Sequence, residues 1–324
     1  MRSRLFLAII VGLFTVAATA QDAHTNVNEA LKNKAIVADT SKKGVWKKGG
    51  LLAFNLTQRN SSNWIGVDEQ FALAVGLSTD LYLNGAWGKN IVDNTFKASY
   101  GYTNNESDGL RKTSDFFDVY SKYGHALNEK QDLFLSAMFN LRSQFSNGYD
   151  YDLDPRRRIS GFFAPANVLI TPGLDWKPTS YFSLFFSPIA SKFVVVSNDP
   201  YSYSYPNGDI PGGGKQEPIA ETYGVDPEKK FDYQFGALLS LNFNKEVLKN
   251  VLYSTRADFY SNYLHQPDNI DMYWTNSLVF KVNKYLTLSY IWNLAYDHDY
   301  VPEGSSGPRL QFLGTFGIGV AAKF

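Results

Sequence analysis

From about Gly49 onward, apolar and polar positions alternate along the chain with a period of two. In the final stretch Leu310, Phe312, Phe316, Ile318, Val320 and Phe324 share one face, opposite Arg309, Gln311, Thr315, Gly317, Gly319 and Lys323. The stretch before it sets Leu286, Leu288, Tyr290, Trp292, Leu294 and Tyr296 against Thr287, Ser289, Asn293 and Asp297. Phe231, Tyr233, Phe235, Leu239, Leu241 and Phe243 repeat the arrangement, as do Phe71, Leu73, Val75, Leu77, Leu81 and Leu83. A helix would bring apolar residues round every three or four positions. Strict alternation marks a strand with one apolar face.

The pattern predicts strands near 49–58, 69–84, 91–101, 113–125, 130–145, 159–175, 181–196, 231–244, 250–263, 270–282, 285–297 and 308–324. Dyad segments of roughly ten residues or more suit an all-β, antiparallel transmembrane β-barrel of about twelve strands. The links alternate in length. Those near Gly85–Asn90, His125–Glu129, Lys177–Ser180, Lys245–Lys249 and Asn283–Lys284 are short; those near Asn60–Asp68, Tyr102–Lys112, Ser146–Arg158, Ser197–Lys230, Leu264–Asn269 and His298–Gly307 are mostly longer. Short periplasmic turns and long external loops are the asymmetry of such barrels, and they place both termini on the periplasmic side. A secreted β-sandwich also alternates. Against it stand the strand lengths and the aromatic residues near the strand ends: Phe54, Trp87, Tyr100, Tyr181, Phe231, Tyr263, Trp274 and Tyr296. Such residues suit interfacial girdles.

The N-terminus reads differently. Arg2 and Arg4 precede an apolar run from Leu5 to Phe14 and the small-x-small site Ala18-Thr19-Ala20. That run is too short to span a bilayer and reads as a secretory signal peptide over residues 1–20. Residues 21–48 are polar and lysine-rich, a periplasmic lead-in to a barrel over 49–324. The expected location is the cell outer membrane of a Gram-negative cell.

Composition narrows the classes further. The 324 residues carry 31 Lys+Arg against 31 Asp+Glu, so no basic footprint for nucleic acid exists. With no Cys, disulfides, thiolate metal centres and an N-terminal lipidated cysteine are excluded. A mean hydropathy of -0.26 excludes a bundle of membrane helices.

Five pieces then form a pattern: "SNWIGVDE" (Ser62–Glu69), "FSLFFSPIASKF" (Phe182–Phe193), "GVDPEKK" (Gly224–Lys230), "SNYLHQPDNIDMYW" (Ser261–Trp274) and the closing "GPRLQF…GIGVAAKF" (Gly307–Phe324). Together they resemble a family of Bacteroidota outer-membrane β-barrel proteins of unknown function. The resemblance covers almost the whole chain after the signal segment. It implies an outer-membrane barrel and carries no catalytic residues with it. Where that family has a glycine-rich stretch after the Asn-Trp pair, this chain has Ile65-Gly66-Val67-Asp68.

Candidate chemistry is sparse. His24, His125, His265 and His298 are isolated, without metal-ligand spacing. Asp297-His298-Asp299 could act as an acid–base pair at a loop rim, or be ordinary loop polarity. Asp150, Asp152 and Asp154 have calcium-loop spacing, but Pro155 replaces the needed glycine and Gly161 the bidentate glutamate. No Gly-x-Ser-x-Gly is present, and Gly212-Gly213-Gly214-Lys215 lacks the following Ser or Thr of a phosphate loop. The expectation is a non-enzyme without metal or cofactor. Arg156, Arg157 and Arg158 are candidates for lipopolysaccharide phosphate contacts.

The inward face is expected to carry Lys97, Asp118, Lys122, Arg142, Asp232, Arg256, Asp258, Asp271 and Arg309. Charge at mid-span must face water or a partner. Mixed signs argue against an ion-selective pore and for structural pairing. The expected role is an outer-membrane barrel, with a narrow channel for small solutes as one reading. A structural or assembly-partner barrel with a salt-bridged lumen is the alternative, and a hydrolase comes last. The expected partners are membrane lipid, lipopolysaccharide and the barrel-assembly machinery, with Phe324 as an assembly signal.

Overall fold

The computed structural model describes residues 44–60, 71–105, 109–150, 154–283, 286–296 and 307–323. Its strands are β1 (Val45–Asn60), β2 (Phe71–Trp87), β3 (Asn90–Asn105), β4 (Gly109–Ala126), β5 (Leu133–Ser143), β6 (Gly148–Asp150), β7 (Arg157–Ser160), β8 (Ala166–Thr179), β9 (Phe182–Val195), β10 (Phe231–Leu248), β11 (Val251–Asn262), β12 (Ile270–Lys281), β13 (Leu286–Tyr296) and β14 (Gln311–Lys323). All but β6 and β7 follow one another, antiparallel, round a barrel. The sheet returns on itself where Leu51–Phe54 of β1 pair with Lys323–Val320 of β14. Closure removes the free edge that a long, flat strand would otherwise offer for aggregation.

The sequence-based strand bounds depart from these most at four places. Between Tyr102 and Lys112, where a long loop is expected, β3 and β4 run on to Asn105 and Gly109. The polar run there defeats a reading based on apolar periodicity, because a ladder needs only backbone N–H and C=O groups and can extend as a polar hairpin. β5 begins at Leu133 rather than near residue 130. The Asn128 side chain accepts from the amides of Asp132 and Leu133 and donates to the Asp132 carboxylate, holding residues 128–132 as a turn. The segment 159–175 divides between β7 and β8, and β8 runs on to Thr179. At the start of the barrel, Val45–Lys48 pair with Ala86–Leu83 and so belong to β1 rather than to the lead-in.

Turns between β2 and β3, β4 and β5, β8 and β9, β10 and β11, and β12 and β13 gather at one end, here the short-turn end. The opposite strand ends gather at the other, the long-loop end. Outward positions are apolar and exposed, for example Val75, Leu77, Leu81 and Leu83 on β2, Leu135 on β5, Ile170 and Leu174 on β8, and Phe186 on β9. Leu77 exposes 50% of its surface. In water each such residue would forgo about 1.5–3 kcal/mol of burial. Aromatic rings mark both ends of this band. Near the short turns Trp46 stacks on Trp87 at 5.9 Å, and Tyr181, Phe243, Tyr253 and Trp292 form a chain of contacts. Toward the loops lie Phe193 with Tyr233 and Phe235 with Tyr263.

β9 is kinked against both neighbours: register shifts fall between Ile170 and Leu174 on β8 and between Gly236 and Leu238 on β10. The bulges bring backbones together. A Cβ on Gly173 would run into the Phe186 carbonyl oxygen, and one on Gly236 into that of Ser261. Only glycine fits there.

At the long-loop end, residues 196–230 fold against the β6–β7 hairpin. A short helix, α1 (Ile219–Thr222), seats Ile219 and Ala220 on Ala164, Val194, Val196 and Val225 in a separate apolar core. Arg157 donates to the carbonyls of Ser202 and Glu217, Arg158 to those of Asn198 and Asp199, and the Tyr223 hydroxyl to that of Ile159. Beside the same loops, Asp115 points outward from β4 and is fully buried. Its carboxylate accepts from the Lys112 ammonium (2.7 Å), the amides of Phe145 and Ser146, and the Ser146 hydroxyl.

Candidate functional site in the barrel lumen

Inward positions of the same strands are polar. They enclose a cavity of about 220 Å³ that reaches from Ser180, Asn244 and Ser254 at the short-turn end up to Lys97, Asp118, Asn140 and Arg256 at mid-height. Two walls differ in chemistry. β3, β4 and β8 supply Asp93, Lys97, Asp118, Lys122 and Lys177; β10, β11 and β12 supply Ser240, Asn242, Asn244, Ser254, Thr275 and Ser277, with Arg256 among them.

The charged wall is organised round Asp175 of β8, which is completely buried. Its Oδ2 accepts from the Lys122 ammonium at 2.6 Å and lies 3.4 Å from that of Lys177. Lys177 in turn reaches Asp93 at 3.3 Å. Asp175 Oδ1 has no hydrogen-bond partner among the described residues. Two cations between two carboxylates make a neutral group. That satisfies the requirement that charge removed from bulk water be compensated on the spot.

The other sequence-predicted charges fall into smaller arrangements. Lys97 stands opposite Asp118 on β4 and Asp80 on β2. Asp118 accepts from the Asn140 amide at 2.8 Å and stands opposite Arg142. The Arg142 guanidinium lies 4.6 Å from the centre of the Phe116 ring, a cation–π contact. Arg256 donates to Asp258 at 2.8 Å, with both side chains partly exposed. Asp232 accepts from Gln234, and Asp271 stands opposite Tyr260. Arg309 is exposed before β14 begins, at the long-loop end rather than on an inward strand position.

Asp93, Asp175 and Lys177 are absent from the sequence-predicted set. Ending the strand at residue 175 leaves Asp175 as its last position and puts Lys177 into a turn. Their alternation with the outward Leu174 and Trp176 was the available signal.

Above the cavity the lumen narrows on one side. Met138, Phe185, Ala190 and Leu238 are buried against one another, with Tyr120, Leu169 and Tyr260 round them. Lys192 caps this cluster, its ammonium 5.6 Å from the centre of the Tyr260 ring. The site therefore combines an apolar ceiling over one side, a neutralised charged wall and a wall of hydroxyls and amides. It can hold or pass a small polar molecule by hydrogen bonding.

Outside the lumen, Arg157 and Arg158 are engaged by the loop carbonyls described above, while Arg156 is exposed. Among the described residues no group of His, Cys, Asp and Glu is arranged to hold a metal ion. His125 contacts Asn90 on the outer face. His24, His298 with its flanking Asp297 and Asp299, Asp152, Phe324, the signal segment 1–20 and most of the 21–48 lead-in lie outside the described residues.

No curated protein matches the chain. Among solved structures, the translocator domain of the autotransporter NalP from Neisseria meningitidis aligns over 95% of this chain and 99% of that one, at 10% identity and a TM-score of 0.37. An outer-membrane channel from Pseudomonas putida F1 aligns over 91% and 98%, at 11% identity and a TM-score of 0.39. The NanC porin aligns over 84% and 98%, at 11% identity and a TM-score of 0.32. Likeness this low says nothing of what the chain does. Residues 56–149 match the family model described as "Protein of unknown function (DUF3078)".

Proposed function

We propose that the chain is an integral outer-membrane β-barrel whose lumen gives small polar solutes a narrow path. The observation that carries this is the inversion of a soluble protein: exposed Leu, Ile, Phe and Trp outside, and hydroxyls, amides and paired charges inside. Only lipid makes the outer face favourable, and closed barrels satisfy their backbone groups within lipid. On this reading residues 1–20 direct export, both termini are periplasmic and the 196–230 loop is external. The barrel reaches the membrane through the assembly machinery, lipid and lipopolysaccharide surround it, and it is not an enzyme. The Bacteroidota placement rests on the motif resemblance alone. Fractionation should find the protein in the outer membrane, faster-migrating unboiled than boiled on SDS gels. Purified protein in a planar bilayer should give small, weakly ion-selective conductance steps. A soluble, heat-unmodified product would end the membrane reading.

The buried Lys122–Asp175–Lys177–Asp93 group and the Met138–Phe185–Leu238 cluster favour a second reading, a structural barrel with a packed lumen. A membrane-inserted, heat-modifiable protein without conductance would select it.

A further inference from the structure

The uncharged wall of the cavity says more about what the lumen takes. Within it the Asn242 amide reaches Ser240 Oγ, and the Asn244 amide reaches Ser254 Oγ, each at 3.4 Å. Both distances lie at the long edge of hydrogen bonding. Ser277 Oγ is buried, lines the cavity and has no hydrogen-bond partner among the described residues. A buried hydroxyl without a partner carries a desolvation cost that a bound hydroxyl would remove.

Across the cavity the charges are already answered. Lys122 and Lys177 share Asp175, Lys177 reaches Asp93, and Arg256 holds Asp258. An ionic solute would have to break one of these pairs to be recognised, whereas a neutral one need not. The volume, about 220 Å³, is below the usual range for drug-sized ligands and suits a single small ring.

We propose that this cavity binds an uncharged, hydroxyl-rich solute the size of a monosaccharide, with Asn242, Asn244 and Ser277 as its specificity-determining contacts. The inference rests on the reading of the lumen as reachable by solute. Hydroxyls can donate to the amide oxygens and accept from the amide nitrogens of Asn242 and Asn244, and complete the bond that Ser277 lacks. Phe185, buried beneath the Lys122 ammonium, closes one side of the cavity with an apolar edge.

The test uses the full barrel in detergent, with glucose, glycine and inorganic phosphate as probes in saturation-transfer NMR and, in bilayers, in current-noise measurements. Glucose should bind, and glycine and phosphate should bind at least about tenfold more weakly. Asn242→Leu should weaken glucose about tenfold, the loss of one or two hydrogen bonds. Ser277→Ala, which removes only the hydroxyl, should weaken it less, and His265→Ala, exposed in the link between β11 and β12 at the long-loop end, should leave it unchanged. If Asn242→Leu fails to fold, Ser277→Ala with Asn244→Ala carries the test. Absent glucose binding, tighter binding of phosphate or glycine, or glucose binding indifferent to these variants overturns the inference. Failure of the channel reading looks different: glucose still binds by NMR while no current flows.

Discussion

Asp115 and Asp175 are the same side chain under the same constraint, fully buried and salt-bridged to lysine, yet they are answered differently. Asp115, on the outer wall, receives four donors over both oxygens, from Lys112, two backbone amides and a hydroxyl. Asp175, in the lumen, receives two lysines on one oxygen and leaves the other without a partner among the described residues. The outer wall must complete its hydrogen bonding from the protein alone. The lumen borders a polar cavity, so its accounting can be finished by solvent or solute. The contrast is one of where water can go.

The largest effect should come from Asp115→Ala. It leaves a buried ammonium without its carboxylate and two amides without their acceptor, a loss of about 3–5 kcal/mol. Denaturant unfolding in lipid should register it, together with faster proteolysis between Ser143 and Gly148. Asp175→Ala should cost less, about 1.5–3 kcal/mol, because Lys177 keeps Asp93 and Lys122 borders the cavity. Equal losses at the two sites would mean the lumen is as dry as the outer wall. Lys122→Met with Asp175→Leu removes both charges together and should recover most of the single-mutant loss.

How far this contrast could be read from sequence is itself physical. Lys122, Arg256 and Asp258 were legible as inward charges because the dyad pattern gives each residue a side. Asp115 was not: on the dyad its outward position in β4 reads as lipid-facing. What rescues it is a chain segment about thirty residues later, folding back to cover it. The barrel's outline was legible for the same reason the inward charges were. The polar ends of β3 and β4, paired at 102–105 and 109–112, were not, since hydrogen-bonded ladders can outrun their apolar faces.

Smaller effects sharpen the comparison. Arg256→Ala removes a partly exposed ion pair and should cost about 1 kcal/mol or less while changing conductance through the widened cavity. A loss as large as that at Asp175 would show that water does not reach mid-height. Lys89→Ala, in a pair whose Glu129 is almost wholly exposed, should leave unfolding unchanged. Asp226, in the 196–230 loop, has its carboxyl held below the usual value of 3.8, chiefly by the amide of Glu228. A depressed value means that the charged form is favoured in the fold. Its contribution is therefore present above that ordinary value and is lost as pH falls through the lower, folded one. Carboxyl NMR titration should find its midpoint below that of Asp226 in a denatured chain; an equal midpoint would remove the bond's role.

The way the long loop is seated has one more consequence. Arg157 and Arg158 grip it by main-chain oxygens at Asn198, Asp199, Ser202 and Glu217. A carbonyl is the one group every residue supplies, so these grips do not ask which side chains stand at those positions, the added ion pair from Arg158 to the Asp199 carboxylate apart. Tyr201, Ile210 and the surface around them can change identity while the loop keeps its shape. The molecule thus carries, at its long-loop end, a face that mutation can rewrite without dismantling the frame beneath it.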